Sequence, residues 1–210
     1  MKKLFAYSLL IITTYSFGQI GIASVETGIL DVRDKPAGNL IDIIHDGDLF
    51  FIADGSEGSI WVEIQYGENQ KHGFINRDKT LNLNELDSPK KPFPELVFET
   101  KEINDFEKRR FHGGMNLPLT ESYELKNIEL VHDCDTVSQN SKFSKDVLTP
   151  FLISGRYSHN KLASIDKLEI YSYKNFTYYR LKLGDGSEYY ESIWAVKNCE
   201  IVQRLIGWLF

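Results

Sequence analysis

Between residues 28 and 83 the apolar positions alternate with polar ones in short runs. Leu30 and Val32 share one face of a strand by this period of two, as do Ile41 and Ile43, Phe50 and Ile52, and Val62 and Ile64. Turn residues separate the runs, since 34–38, 46–48, 54–58 and 67–71 are rich in Gly, Asp and Asn. Five or so short strands at this spacing predict a small barrel or sandwich.

The pattern stops at 87–94, where Pro89, Pro92 and Pro94 fix φ and remove backbone donors. Neither a helix nor a central strand runs through such a stretch, which reads as a linker. The residues before it, 19–86, and after it, 95–210, are each long enough for an independent fold. In the second half, Ile103, Phe106 and Arg110 mark a short amphipathic helix, and 141–154 a second one interrupted by Pro150. Residues 123–132 read as a strand. From 168 onward four β-prone runs, 168–174, 177–183, 188–197 and 200–208, are separated by Lys174-Asn175, Gly184-Asp185-Gly186 and Lys197-Asn198. Asn and Gly tolerate the positive φ of tight hairpins, so these runs predict an antiparallel meander. Alternation puts Tyr179, Leu181 and Leu183 on one side and Tyr178, Arg180 and Lys182 on the other.

The N-terminus breaks with both patterns. Lys2 and Lys3 precede an apolar run that ends at Phe17, with Ser16 and Gly18 at the −3 and −1 positions of a cleavage site. This is the order of a secretory signal, 1–18, and the run is shorter than the roughly 20 residues of a spanning helix. Position 19 is Gln rather than the Cys of a lipoprotein. The expected compartment is periplasmic or extracellular, with no transmembrane anchor. Losing the two lysines takes the formal net charge from −6 to −8. Such a chain is a poor fit to nucleic acid or to an anionic membrane surface, and its one basic cluster, Lys108, Arg109 and Arg110, reads as a solvated face. Cys134 and Cys199 are an even pair in an oxidising compartment. They suggest one disulfide closing a loop of about 65 residues, worth roughly 4 kcal/mol, with two buried thiols as the rival reading.

Five elements resemble the bacterial SH3 (SH3b) family. Leu30-Asp31-Val32-Arg33-Asp34-Lys35-Pro36 stands where that family opens. Gly38 followed by the strand 39–44, Gly47-Asp48, Trp61-Val62-Glu63-Ile64 and Gly73-Phe74-Ile75 then follow in order. Asp31 replaces the family's Asn and Phe74 its Trp; Asp keeps the turn-forming side chain and Phe the aromatic plug. The expected fold is therefore mainly β: a small SH3-like β-barrel, then a β-rich α+β domain ending in an antiparallel meander. The resemblance implies recognition of a peptide or wall polymer in the bacterial envelope. Val32, Ile43, Ile52, Trp61 and Val62 are expected in the barrel core. Recognition is assigned to loop residues Asp34, Lys35 and Glu57 with Tyr66, because loops on a rigid scaffold carry binding.

Catalytic chemistry has little to stand on. Asp133 and Asp135 flank Cys134 and would raise its thiol pKa, the opposite of what a nucleophile needs. His132, Asp133 and Asp135 include three potential metal ligands, but strand alternation splits His132 from the two carboxylates. His45, His72, His112 and His159 are isolated, and 109–114 lacks the Lys-Ser/Thr step of a phosphate loop. No catalytic residue, metal or cofactor is assigned. The aromatic run from Tyr171 to Trp194 reads as a packed meander or, on the face of Tyr178, Arg180 and Lys182, as an exposed binding platform. The leading expectation is a non-enzymatic envelope protein whose barrel binds cell-wall peptide or glycan or an envelope protein. The alternatives are an envelope hydrolase with its site in 95–210, and a protein-binding inhibitor or assembly factor.

Overall fold

The computed structural model describes residues 17–53, 58–90, 93–103, 122–132, 135–139, 143, 148–149, 155–158, 168–183 and 190–208. Among these it is built of antiparallel strands and two 3₁₀ turns, and no helix is long and apolar enough to cross a membrane. Of the helix positions expected at 103–110, Phe106 and Arg110 lie outside the described residues, and Ile103 ends a strand. Within 141–154 the described pair Leu148–Thr149 is also extended.

The N-terminal sheet contains β1 (Phe17–Ala23), β2 (Ile29–Arg33), β3 (Leu40–His45), β4 (Leu49–Ala53), β5 (Trp61–Tyr66), β6 (Lys71–Asn76) and β7 (Thr80–Asn82), in the order β3-β2-β6-β5-β4-β1-β7. Leu30, Val32, Ile44, Phe50, Ile52, Val62, Ile64 and Ile75 share one core. Strands from β3, at one end of the sheet, to β1 with its Ala23, next to the other end, reach that core, so the sheet curls around it. Strand β1, absent from the sequence pattern, pairs with β4 through Gln19↔Ile52 and Ile22↔Leu49, and with β7. Strand β4 is buried along its whole length because both faces are covered: Phe50 and Ile52 face the curl, while Leu49 and Phe51 face outward into a second core.

That second core is completed by the C-terminal meander of β13 (Leu168–Tyr173), β14 (Phe176–Leu183), β15 (Tyr190–Lys197) and β16 (Glu200–Trp208). Its Phe176, Tyr178, Ile193, Ala195 and Leu205 pack with Ile20, Ile22, Leu49, Phe51 and Leu83. The opposite face of the meander, with Leu168, Tyr179, Leu181, Trp194 and Val196, packs on Leu96, Phe98, Ile128 and Leu130. These last belong to a sheet of β10-β9-β8-β12: β8 (Glu95–Ile103), β9 (Ser122–His132), β10 (Asp135–Gln139) and β12 (Gly155–Ser158), with β11 (Leu148–Thr149) also on β9. The meander is therefore the middle of three layers.

The alternation read for β14 holds, but neither of its faces is open. Tyr178 is fully buried and Arg180 is 6 % exposed, so the expected platform of Tyr178, Arg180 and Lys182 is a packing face. Its polar groups are met inside: Arg180 makes a two-pronged bond to Glu191 at 2.6 and 2.7 Å and reaches Asn84 Oδ1 at 2.5 Å. Burial of an ion pair demands such partners for both members.

Asp87 and Pro94, at the two ends of the proline-rich segment, are also tied to the meander. The Asp87 carbonyl accepts from the Ser172 amide at 3.0 Å, and Tyr179 OH donates to the Pro94 carbonyl. Cys199 carries a free thiol in this structure, while Cys134 lies outside the described residues. The physical constraint on Cys199 is local: with Asn198 it forms the two-residue turn of the β15–β16 hairpin, both at positive φ (51° and 60°).

Candidate ligand-binding surface

With Leu30 and Val32 in the core, the intervening Asp31 and Arg33 must face outward, and cross-strand register extends that outer face. Leu40 of β3 lies opposite Arg33 of β2, Arg33 opposite Phe74 of β6, and Phe74 opposite Glu63 of β5. Trp61 and Asn76 form the next pair along β5 and β6. The Arg33 guanidinium is fixed by Asp31 Oδ2 at 2.9 Å and the Gly38 carbonyl at 2.7 Å, and it lies 5.8 Å from the Trp61 ring centroid. A cation over an aromatic ring at this distance is worth about 0.5–1 kcal/mol at an exposed site.

Apolar side chains border this patch in the open. Leu40, Ile41 and Ile43 of β3 are 56, 51 and 42 % exposed, and Ile29 of β2 is 48 % exposed. The core expectation therefore fails at Ile43, which pairs with the outward Asp31, and is only half met at Trp61. A bulge between Val32 and Arg33 inserts Ile41 as an extra residue, which is why Ile41 and Ile43 do not give β3 a buried face. It is Ile44, opposite Leu30, that reaches the core.

The loop residues expected to recognise ligand mostly build turns. Asp34 accepts from the Asn39 amide at 2.8 Å and from its side chain at 3.4 Å, closing the β2–β3 turn. Lys35 is exposed in that turn, and its carbonyl accepts from Gly38. Glu57 lies outside the described residues. Tyr66 is buried, and its hydroxyl donates to Asp42 Oδ2 at 3.2 Å. Burial first, and then the Asp42 carboxylate, push that phenol up to about 12. Tyr178 donates to the Gly47 carbonyl at 2.9 Å, and burial pushes its pKa up. The structure brings Tyr66 into a cleft but gathers neither Asp34 nor Lys35 with it. Sequence reasoning passed over Arg33 and Phe74 as signature residues and took Trp61 for core. The alternation through Leu30 and Val32 was the signal that places Arg33 outside.

Around the corner from this face, a cleft of ≈ 330 Å³ runs beside β3, lined by Asp42, Ile43, Asp48, Tyr66, Glu68 and Lys71 among others. The Asp42 carboxylate accepts from Lys71 Nζ at 2.7 Å and from the Ile43 amide at 2.9 Å. These bonds, Lys71 foremost, hold it below the ordinary range. Asp48 accepts from the His45 amide at 2.7 Å, and burial nevertheless pushes its carboxyl up.

No family model matches the chain, and no curated protein or solved structure matches it.

Proposed function

We propose that this chain is a non-enzymatic binding protein of the bacterial envelope, and that its N-terminal sheet, an SH3b-like barrel, recognises a peptide or wall-polymer segment. The observation that carries the reading is the outer face of β2, β3, β5 and β6. There a guanidinium lies on an indole beside Phe74, with Leu40 and Ile43 exposed next to it. Aromatic and Arg side chains are the usual anchors of such contacts, and a rigid sheet presents them at little entropic cost. The order of SH3b elements from Leu30 to Ile75 and the signal-like first 18 residues support the envelope as the setting.

The test is co-sedimentation of the chain with purified peptidoglycan, alongside capture of envelope proteins. Trp61→Ala and Arg33→Gln, each shown to be folded by circular dichroism, are expected to weaken binding by about tenfold, the loss of one anchor. Failure of the unaltered chain to bind wall material or any envelope protein would sink the proposal.

A further inference from the structure

Among the described residues, strand β3 ends its sheet: β2 pairs with one side, and no described strand pairs with the other. Alternate backbone groups of an edge strand point away from the sheet and form a template for another strand. The amides of Ile43 and His45, two residues apart, bond to side-chain carboxylates of their own hairpin, Asp42 Oδ1 and Asp48 Oδ2. Both carboxylates are about one-third exposed, so neither is locked away from an incoming group.

We infer that the free edge of β3 accepts an extended, basic polypeptide segment as an added strand, whose carbonyls take the Ile43 and His45 amides from Asp42 and Asp48. The inference rests on the peptide-binding reading of the adjoining face and names its ligand class. An extended chain repeats its carbonyls every second residue along one side, which is the spacing of these two amides. Displacement takes one amide donor from each of two carboxylates in this cleft, leaving Asp42 with Lys71 at 2.7 Å and Asp48 with the His45 ring at 3.7 Å. Basic side chains on the incoming segment replace the two lost donors, and the residues lining the cleft carry three carboxylates to one ammonium, which favours a cation there. Its apolar side chains meet Leu40 and Ile43, which stand open on the same outer face as Arg33. An acidic segment has no such compensation and faces like charge.

The test uses the full chain, ¹⁵N-labelled, titrated with three blocked hexapeptides: alternating Lys and Val, alternating Glu and Val, and the Lys–Val peptide N-methylated at alternate residues. The Lys–Val peptide is expected to shift the Ile43 and His45 amide resonances and to bind at least about tenfold more tightly than the other two, with the preference falling as salt is raised. In the Asp42→Ala/Asp48→Ala double variant the preference for Lys over Glu disappears. Should that variant not fold, Asp42→Asn, which keeps an acceptor without the charge, is expected to reduce the preference. Equal binding of the Lys–Val and Glu–Val peptides overturns the inference, as does a concentration-dependent dimer that itself protects the β3 amides. Wall or envelope binding that depends on Trp61 but leaves Ile43 and His45 unmoved sinks this inference alone.

Discussion

The two hydroxyl-bearing side chains expected to face a ligand, Tyr66 and Tyr178, show how one residue type serves opposite ends. A tyrosine buries a large ring provided that its hydroxyl finds a partner. Tyr66 finds Asp42, and Tyr178 finds the carbonyl of Gly47 in the β3–β4 turn. That turn is built for the contact: Gly47 sits at φ +90°, and a Cβ there would fall 2.3 Å from the Phe176 ring. Two substitutions separate the parts. Tyr178→Phe keeps the ring and strands the carbonyl, which is expected to lower unfolding stability by about 0.5–1.5 kcal/mol. Gly47→Ala meets both the unfavourable φ and the ring, and is expected to lose about 2 kcal/mol or more. Denaturant unfolding reads both losses. A Gly47→Ala variant as stable as the unaltered chain would show that the turn does not carry the joint. Sequence alone placed Gly47 in a turn before a strand, but what its missing side chain makes room for lies about 130 residues further on.

The same turn governs the next scale, where strands and hairpins meet. Strands β2, β4 and β5 and the meander were legible because each keeps one apolar face at period two. The second face of β4 was not, because a strand covered on both sides loses its alternation and reads as a plain apolar run, and β1 was not, because Phe17 and Gly18 at its start read as the end of a secretory signal. Whether Tyr178 and Arg180 face water or another sheet is likewise invisible to alternation, which gives sidedness and never the neighbour. The surface residues were misplaced for a related reason: one bulge turned Ile41 and Ile43 outward. The hairpins are held together by Asp46, whose carboxylate accepts from the Val25 amide at 2.9 Å, Tyr173 OH at 3.1 Å and Lys174 Nζ at 2.7 Å. Burial alone would push this carboxyl up, but those three donors outweigh it and leave it below its ordinary 3.8. A depressed carboxyl stabilises the fold above the unfolded value and loses that contribution as pH falls through 3.8 toward the folded value. Asp46→Asn is therefore expected to be less stable than the unaltered chain at pH 7. Its deficit should narrow as pH falls below 3.8, when the native carboxylate also takes up a proton. Stability measured at pH 7, 5 and 3 checks this, and a deficit unchanged at pH 3 would show that charge is not what Asp46 supplies.

At the scale of the whole molecule, the proline-marked boundary at 87–94 raises the question of whether the N-terminal sheet stands alone. Its curled interior is self-contained, but Ile20, Ile22, Leu49, Phe51 and Leu83 belong to the core shared with the meander. Polar ties cross the same joint. The Gln203 side chain brackets the Leu49 backbone, accepting from its N–H at 2.7 Å and donating to its carbonyl at 2.9 Å, and Arg180 reaches Asn84. A fragment of residues 19–90 would expose those five side chains together, a contiguous apolar patch of the kind that drives association. It would also forfeit about 1.5–3 kcal/mol of burial for each side chain fully uncovered, against the small margin available to a sheet of this size. The fragment is thus expected to aggregate or bind a hydrophobic dye, with an unfolding midpoint well below that of the full chain. A Leu49→Ser/Phe51→Ser variant of the fragment is expected to regain solubility without regaining stability. A soluble, cooperatively folded 19–90 fragment as stable as the full chain would mean that the N-terminal sheet is an autonomous module merely resting on the meander, and the wall-binding test could then be run on it alone.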